Sequence, residues 1–311
     1  MTDDKDLIDA IQGSALAKLT KQNYLSRLNV MKRMFEEKPI YDILLLGEEA
    51  VDKIIKAYPS SKSQKNFLVV VLALFKYCDG LKEKVPKDIW RIWATSYNSC
   101  ADRIDEQTML NLPSDRQRAG YIEYEEFKKR IDTLPKKSVD RLLLAMYGLI
   151  EPLRGDYNRV RIYKGKLPAK DREENYLNIT GTRMTLHIGE HKTSMTYGAI
   201  VTDLPKDLEK EIRENLRITP RDWLFEDKNG NPYEPNAFIK LVARRFEKIF
   251  DRPLNIGILR HSYINSLDMN TLSMAERQKI ARQMGHNYIQ QERYRLLMDE
   301  KKAKKKSTTT E

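Results

Sequence analysis

Three residue types with phosphate chemistry stand close together in the last part of the chain. Residues 259–263 read Leu-Arg-His-Ser-Tyr, residues 284–286 read Met-Gly-His, and Tyr294 follows. Arginine pairs with phosphate through two parallel hydrogen bonds, histidine exchanges a proton near neutral pH, and a tyrosine hydroxyl can attack phosphorus. This combination predicts covalent chemistry on a nucleic-acid backbone, carried by Arg260, His286 and Tyr294.

The remaining groups that such a reaction needs follow from its chemistry. Phosphodiester cleavage needs a nucleophile, cations to balance the two non-bridging oxygens, a proton for the departing oxygen, and in-line alignment. The sequence offers no carboxylate cluster of the kind that holds paired magnesium ions. We therefore expect arginines and a lysine to supply the positive charge, with no metal and no other cofactor.

The composition fits a folded, basic protein that binds an anionic polymer. The chain has 311 residues, long enough for two domains, with 41% hydrophobic and 32% charged residues and a formal net charge of +11. Such a charge favours nucleic acid as a partner, although a basic protein without that role has the same composition. The longest apolar run, residues 67–75, is about half of what spans a bilayer, so we expect no membrane partner.

The cysteines, histidines and first residues bear on the protein's location. Cys78 and Cys100 match no metal spacing and predict free thiols in a reducing compartment. The four histidines lack a second ligand cluster, so a structural zinc site is not expected. Residues 1–6 are acidic and polar, unlike a secretory signal. We expect an intracellular location wherever the target DNA lies, in the cytoplasm or nucleus of a host cell.

Hydrophobic periodicity predicts two kinds of region that must position these residues. Residues 14–100 favour helices throughout, and the polar residues 101–118 favour an interdomain linker. From residue 119 onward, helical patterns flank four short strands, which predicts a small sheet within a helical domain. Residues 299–311 have no apolar periodicity and predict a disordered basic tail. The predicted helices are 20–37, 48–57, 64–77, 87–97, 123–134, 138–150, 206–215, 236–250 and one from 259; the predicted strands are 160–163, 176–179, 184–188 and 199–202.

Five short motifs, in this order along the chain, resemble those of one known family. Residues 152–157 (Pro-Leu-Arg-Gly-Asp-Tyr) are similar to its first arginine box, and residues 189–194 (Gly-Glu-His-Lys-Thr-Ser) to its β-hairpin lysine segment. Residues 258–263 resemble its second arginine box, residues 281–286 (Ala-Arg-Gln-Met-Gly-His) its Leu-Gly-His box, and residues 290–295 the segment that bears its nucleophile. The family is that of the tyrosine recombinases, also called phage integrases.

The resemblance implies a domain plan, a fold and a reaction. It implies a mainly α protein: an N-terminal extension (1–13), a helical core-binding domain that clamps DNA (14–100), the linker, and an α+β catalytic domain (119–298) ahead of the tail. It implies site-specific cutting and rejoining of DNA strands through a 3′-phosphotyrosine, without metal or ATP. The implied partners are double-stranded DNA with paired half-sites, a second copy on that DNA, and a tetramer in the synapse. The motifs Arg-His-Ser-Tyr (260–263) and Gln-Gln-Glu-Arg-Tyr (290–294) resemble integrases of viruses and mobile elements more than bacterial chromosome-resolution enzymes.

The resemblance also implies a role for each motif residue. Tyr294 is the expected nucleophile, Arg154 and Arg260 bind the non-bridging oxygens, Lys192 protonates the leaving oxygen, and His286 donates a hydrogen bond to the phosphate. Taken singly, some of these have simpler explanations. A basic residue such as Arg154 also stabilises the end of a preceding helix, and Lys192 has other cations nearby in the sequence, Lys164, Lys166 and His191.

Two departures from the family pattern affect the acid–base chemistry and the nucleophile. The family usually has a histidine three residues before the second arginine, where this chain has Gly257. His261 is a possible auxiliary group, although adjacent helical residues differ in direction by about 100° and His261 could simply pack. Tyr294 lies eight residues after His286, one fewer than is usual in the family, and Tyr288 is the alternative nucleophile.

The sequence leaves two other functions open and offers candidate DNA contacts. A type IB topoisomerase uses similar chemistry as a monomer, and the loss at Gly257 is compatible with a DNA-binding protein whose catalytic centre has decayed. Basic residues on predicted helices are candidates for phosphate contacts more than for base reading. These residues are Lys21, Arg27, Lys65, Lys240, Arg244 and Arg245.

Overall fold

The computed structural model describes residues 3–165, 174–292 and 294–296. The chain divides into two compact units, Met1–Leu110 and Asn111–Glu311. The predicted basic tail, residues 299–311, lies outside the described residues. Within the part of the chain that is described, no helix is both long enough and apolar enough to cross a membrane.

The first unit is built from helices around one long apolar helix, α5 (Ser61–Tyr77). Phe67, Leu68, Val71 and Leu74 on α5 are completely buried. Trp93 on α7 (Lys87–Met109) is buried in the same core, where its Nε1 donates to the carbonyl of Leu44 on α3 (Ile40–Leu45) at 3.0 Å. The periodic apolar residues therefore meet in a common core, as amphipathic helices require. The helices are α1 (Asp4–Gly13), α2 (Lys18–Met34), α3 (Ile40–Leu45), α4 (Glu48–Ala57), α5 (Ser61–Tyr77), α6 (Leu81–Lys84) and α7 (Lys87–Met109).

The structure differs from the prediction at both ends of this unit. Residues predicted as an N-terminal extension form α1, and its Leu7 and Ile11 are fully buried in the core. Residues 101–109, predicted as the start of the linker, continue α7. A polar composition without Gly or Pro also suits a solvent-facing helix, and the first proline after this stretch is Pro113.

The second unit combines ten helices or helical turns of its described residues with one small sheet. Most bounds agree with the predicted segments to within a few residues, as for the helices at 123–134 and 138–150. The elements are α8 (Asp115–Gly120), α9 (Tyr124–Thr133), α10 (Val139–Gly148), a 3₁₀ turn (Asp156–Arg159), β1 (Arg161–Lys164), β2 (Tyr176–Thr180), β3 (Arg183–Ile188), α11 (Ser194–Tyr197), β4 (Ile200–Asp203), α12 (Lys206–Ile218), α13 (Pro235–Phe250), α14 (Ile256–Ser266), α15 (Met274–Gln283) and α16 (Tyr288–Glu292).

The sheet has four strands in the order β1-β2-β3-β4 and is mixed. β1 pairs with β2 in parallel, whereas β2–β3 and β3–β4 pair antiparallel. Along β3 the side chains of Met184, Leu186 and Ile188 are buried and their neighbours face out, so one side of the sheet covers the helical core. The predicted fold class, mainly α with a small sheet in an α+β unit, is confirmed.

Candidate active site

Arg260 lies at the centre of the second unit's polar cluster and is almost fully buried. Its helix α14 is preceded by Asn255, whose side chain caps the helix by accepting from the amide of Ile258 at 3.0 Å. Arg260 is 1% exposed, and its Nη1 donates to the carbonyl of Pro152 at 2.6 Å. Its Nη2 donates to the carbonyl of Met284 at 3.0 Å. These bonds from the two terminal nitrogens fix the guanidinium in one orientation, whereas its buried Nε has no hydrogen-bond partner within the described residues.

Arg154 reaches the same cluster from the turn between α10 and the 3₁₀ turn. Its Nη1 donates to the carbonyl of Gly285 at 2.8 Å, so this guanidinium bonds to a residue that is distant in sequence from the preceding helix, α10. Its backbone amide donates to Asp156 Oδ2 at 3.1 Å. Burial raises the pKa of Asp156, against the charges of Arg154, His191 and Arg260. Asp156 was not singled out from the sequence, although it stands only two residues after Arg154.

His286 is held as a neutral imidazole with a known tautomer. Arg260 Nη2 lies 2.8 Å from His286 Nδ1, and because a guanidinium only donates, Nδ1 must accept and Nε2 must carry the proton. Burial, followed by the charges of Arg260 and Arg154, lowers the pKa of His286 to about 3. His286 Nε2 is buried and has no hydrogen-bond partner within the described residues. The ring therefore offers one unused N–H donor at neutral pH.

This assignment predicts an unusual titration of His286. We expect NMR of the free protein to show the Nε2–H tautomer at pH 7 and a protonation midpoint near pH 3 rather than 6.5. Since the unfolded chain protonates this residue at higher pH than the folded chain does, stability should fall as the pH drops from about 6.5 towards 3. His286→Gln should flatten that part of the stability profile. A wild-type midpoint near 6.5 would contradict the assignment.

Tyr294 closes the cluster and contacts three of the residues above. Its ring stacks on that of His286 with centroids 5.1 Å apart, and Arg260 Cζ lies 5.1 Å from the Tyr294 ring centroid. Burial raises the pKa of the hydroxyl, but the charges of Arg260 and Arg154 and their hydrogen bonds to it outweigh burial and bring the pKa below its ordinary value. These contacts belong to Tyr294 and not to the alternative, Tyr288.

Lys192 is exposed, on a loop that is fastened to the cluster by its neighbours. The loop lies between β3 and α11, and Thr193 Oγ1 donates to the carbonyl of Gly285 at 2.9 Å. That carbonyl is the one that also accepts from Arg154. Gly285 has φ +69°, and a Cβ there would lie 3.2 Å from Arg154 Nη1 and 3.6 Å from His191 Nδ1. Glycine therefore allows the close approach of the loop that carries Lys192.

His261 and Gly257 clarify the two departures in the sequence. Both ring nitrogens of His261 contact protein groups: Nδ1 lies 2.6 Å from the carbonyl of Tyr294 and Nε2 lies 3.1 Å from Gln117 Nε2. His261 thus contacts the main chain of the tyrosine. Gly257 is exposed on the first turn of α14, and an added Cβ would meet only Asn255 Oδ1 within 4 Å, at 3.1 Å. Position 257 therefore contributes no side chain to the cluster.

The candidate DNA contacts lie on two helices of the first unit and on α13 of the second. Three of them engage neighbouring groups: Lys21 donates to the carbonyl of Gln12, and Arg27 and Lys65 lie over aromatic rings, at 5.3 and 5.2 Å from the centroids. On α13, Lys240 and Arg244 are exposed one turn apart. Arg245 is paired with the carboxylate of Asp140, which reduces its availability to phosphate.

Comparison with known proteins gives similarity at the level of structure. No protein-family model matches the chain, and no curated protein matches it in sequence. A crystal structure of XerA recombinase is similar with 13% identity and a TM-score of 0.42, covering 99% of this chain and 97% of that one. The XerH site-specific recombinase, bound to its difH substrate in a pre-cleavage complex, is similar with 18% identity and a TM-score of 0.47, covering 78% of this chain and 65% of that one.

Proposed function

We propose that the protein is a site-specific DNA recombinase of the tyrosine-recombinase type, which cuts and rejoins strands through a 3′-phosphotyrosine. One observation carries the proposal: two guanidinium groups and a neutral histidine with an unused N–H surround a single half-buried tyrosine hydroxyl. Arg154, Arg260, His286 and Tyr294 come from four separate stretches of the chain. Core packing alone gives no reason to collect two arginines around a tyrosine, because like charges repel.

In the first step, the Tyr294 oxygen attacks phosphorus and the bond to the 5′-oxygen breaks. The tyrosine proton leaves to solvent, which the lowered pKa of the hydroxyl favours. Arg154 and Arg260 donate to the non-bridging oxygens, and His286 Nε2–H adds a third donor where negative charge develops. Lys192 gives its proton to the departing 5′-oxygen, so that a 5′-hydroxyl and a 3′-phosphotyrosine result.

In the second step, a 5′-hydroxyl from another strand attacks the phosphotyrosine. The new P–O bond forms as the bond to Tyr294 breaks; the attacking hydroxyl gives its proton to the neutral amine of Lys192, and the tyrosine recovers a proton from solvent. The tyrosyl linkage conserves the energy of the original phosphodiester, so the reaction needs no ATP. For exchange between two duplexes we propose two copies on paired half-sites and four in the synapse. The net charge of +11 supports a binding affinity that falls steeply with added salt.

The test uses DNA of unspecified sequence, because the target site is part of the question. The purified full-length chain is incubated with a library of nicked duplexes of random sequence, and complexes that survive denaturation are recovered and sequenced. We expect one sequence class with inverted repeats, and mass spectrometry should locate the attached nucleotide on Tyr294. Strand exchange between two recovered sites supports a recombinase, whereas supercoil relaxation by a monomer without exchange supports a topoisomerase. Tight binding without any covalent product would indicate a decayed centre.

Lys192→Ala tests the proposed proton donor. We expect the rate of covalent adduct formation to fall about 10²–10³-fold, within the range for loss of a general acid. A substrate with sulfur in place of the bridging 5′-oxygen has a leaving group that needs no proton, so its cleavage should recover nearly to the wild-type rate. Lys164→Ala, on the end of β1, is the matched control. Equal defects with oxygen and sulfur substrates would contradict the role of Lys192 as the acid.

A further inference from the structure

The main chain around Tyr294 is held by two polar side chains on the same face of α14. His261 and Asn265 are four residues apart and therefore lie one turn apart on the helix. His261 Nδ1 contacts the carbonyl of Tyr294 at 2.6 Å. Asn265 makes two bonds to Leu296, accepting from its amide and donating to its carbonyl, both at 2.9 Å. Three main-chain groups of residues 294–296 are thus bonded to α14.

Ser114 and Gln117 determine the tautomer of His261. The backbone amide of Ser114 and its hydroxyl both lie 2.9 Å from Gln117 Oε1 in the capping box of α8. An amide N–H only donates, so Gln117 must present its oxygen to Ser114 and its NH₂ group to His261. His261 Nε2 then accepts, and Nδ1 carries the proton. The other end of the chain of bonds requires the same tautomer, because the Tyr294 carbonyl can only accept.

Tyr121 contacts the side chain of Asn265, as Gln117 contacts that of His261. Its Nδ2, which donates to the carbonyl of Leu296, also lies 3.4 Å from the hydroxyl of Tyr121. Leu296 itself is buried, at 8% exposed. Ser114, Gln117 and Tyr121 all belong to the opening segment of the second unit. Both side chains that hold the tyrosine segment are thus oriented by residues that precede the rest of the proposed catalytic machinery.

We propose that His261 and Asn265 are positioning residues, a main-chain clamp that places the Tyr294 hydroxyl against Arg154 and Arg260. This inference rests on the proposed function, since it gives the clamp the task of aligning a nucleophile. Helix α16 ends at Glu292, and Tyr294 lies in the turn beyond it, where its amide donates to the carbonyl of Gln291 at 2.9 Å. The bonds from α14 add support for the carbonyl of Tyr294 and for the main chain of Leu296, which lie outside the helix. A misplacement of about 1 Å in a reacting group costs about 100-fold in rate, which makes such support effective.

The test compares variants that keep or remove the donor at the position of Nδ1. His261→Leu has no donor, whereas the amide nitrogen of His261→Asn can occupy about the same place. We expect His261→Leu to slow adduct formation on a nicked duplex by about 100-fold. His261→Asn should recover most of that loss, and DNA affinity should be unchanged in both. His187→Leu, a histidine replacement on β3 outside the site, is the control for loss of an imidazole and should keep the wild-type rate.

Asn265→Asp provides an independent variant of nearly identical shape. It keeps the acceptor for the Leu296 amide but places a carboxylate oxygen against the Leu296 carbonyl. Because two oxygens without a proton between them repel, this variant should also form the adduct more slowly. Sulfur in the bridging 5′ position should rescue neither variant, because the clamp acts on the attacking group and not on the leaving group. Hydrogen exchange of residues 287–296, measured without DNA, should be faster in His261→Leu and Asn265→Asp than in wild type.

The outcomes separate the clamp from the function on which it depends. A wild-type chain that forms no phosphotyrosine contradicts the proposed function and the catalytic task of the clamp together. Wild-type adduct formation with undiminished rates in His261→Leu and Asn265→Asp overturns the clamp alone. Unchanged hydrogen exchange in both variants also overturns it. Slower adduct formation, rescue by His261→Asn and faster exchange together support it, and thermal unfolding of each variant shows whether the fold is retained.

Discussion

Tyr294→Phe is expected to form no covalent complex with DNA while binding it as tightly as wild type. Phenylalanine keeps the ring that stacks on His286 and lies over Arg260, but it lacks the oxygen that attacks phosphorus. Because the Tyr294 hydroxyl is the one that interacts with both guanidinium groups and is the proposed nucleophile, the rate should fall by at least about 10⁴-fold. Denaturing gel electrophoresis after incubation with a nicked duplex measures the adduct, and fluorescence anisotropy measures binding.

Tyr288→Phe is the matched control, since it removes a hydroxyl from the same short segment. It should form the adduct at close to the wild-type rate. An adduct that persists in Tyr294→Phe, or disappears in Tyr288→Phe, would show that the nucleophile has been assigned to the wrong tyrosine. A peptide map of the wild-type adduct decides between these results independently of any substitution.

Arg260→Lys is expected to have the second-largest effect, a fall of about 10³-fold in adduct formation. The guanidinium donates to Pro152, Met284 and His286 in fixed directions, and an ammonium group cannot reproduce that planar set of donors. Losing one preorganised donor to a developing charge costs about 10²–10³-fold. The loss should be larger here because His286 also loses the donor that sets its tautomer. Single-turnover kinetics on a nicked duplex measure the rate of adduct formation.

The electrostatic origin of that loss can be checked with a changed substrate. A methylphosphonate at the scissile position has no negative charge, so it needs less cationic stabilisation and the defect of Arg260→Lys should shrink. Arg159→Lys alters an exposed ion pair with Glu234, and its rate of adduct formation should equal that of wild type with both substrates. A defect that is equally large with both substrates would mean that Arg260 supports the fold and not the reaction. Denaturant unfolding distinguishes that case directly.

Much of the fold was predictable because local patterns determine the elements. The helix predicted at residues 48–57 is α4 with the same bounds, and the alternating residues of β3 form a strand with one buried face. Composition was a weaker guide at 101–109, where polar residues continue α7 instead of forming a linker. Solvent-facing helices and loops share their amino acids, and only hydrogen bonding and packing distinguish them.

The candidate site was predictable in its residues but not in their states. Sequence order and type identified Arg154, Arg260, His286 and Tyr294, which the structure brings together, and their catalytic roles remain predictions. Asp156, Thr193 and Asn265 were not found, because a carboxylate, a hydroxyl and an amide are common residues whose partners lie up to 92 positions away. No spacing rule connects them before the chain folds.

By itself, the sequence determined the chemistry available to this protein: a basic chain carrying arginine, lysine, histidine and tyrosine in a recognisable order. The tertiary structure alone decided that His286 is neutral with its proton on Nε2, that His261 contacts a carbonyl, and that the Tyr294 hydroxyl has a lowered pKa. Residue type is a property of position in the chain. Protonation and tautomer depend on burial and on charges within a few ångströms, which are set by residues distant in sequence.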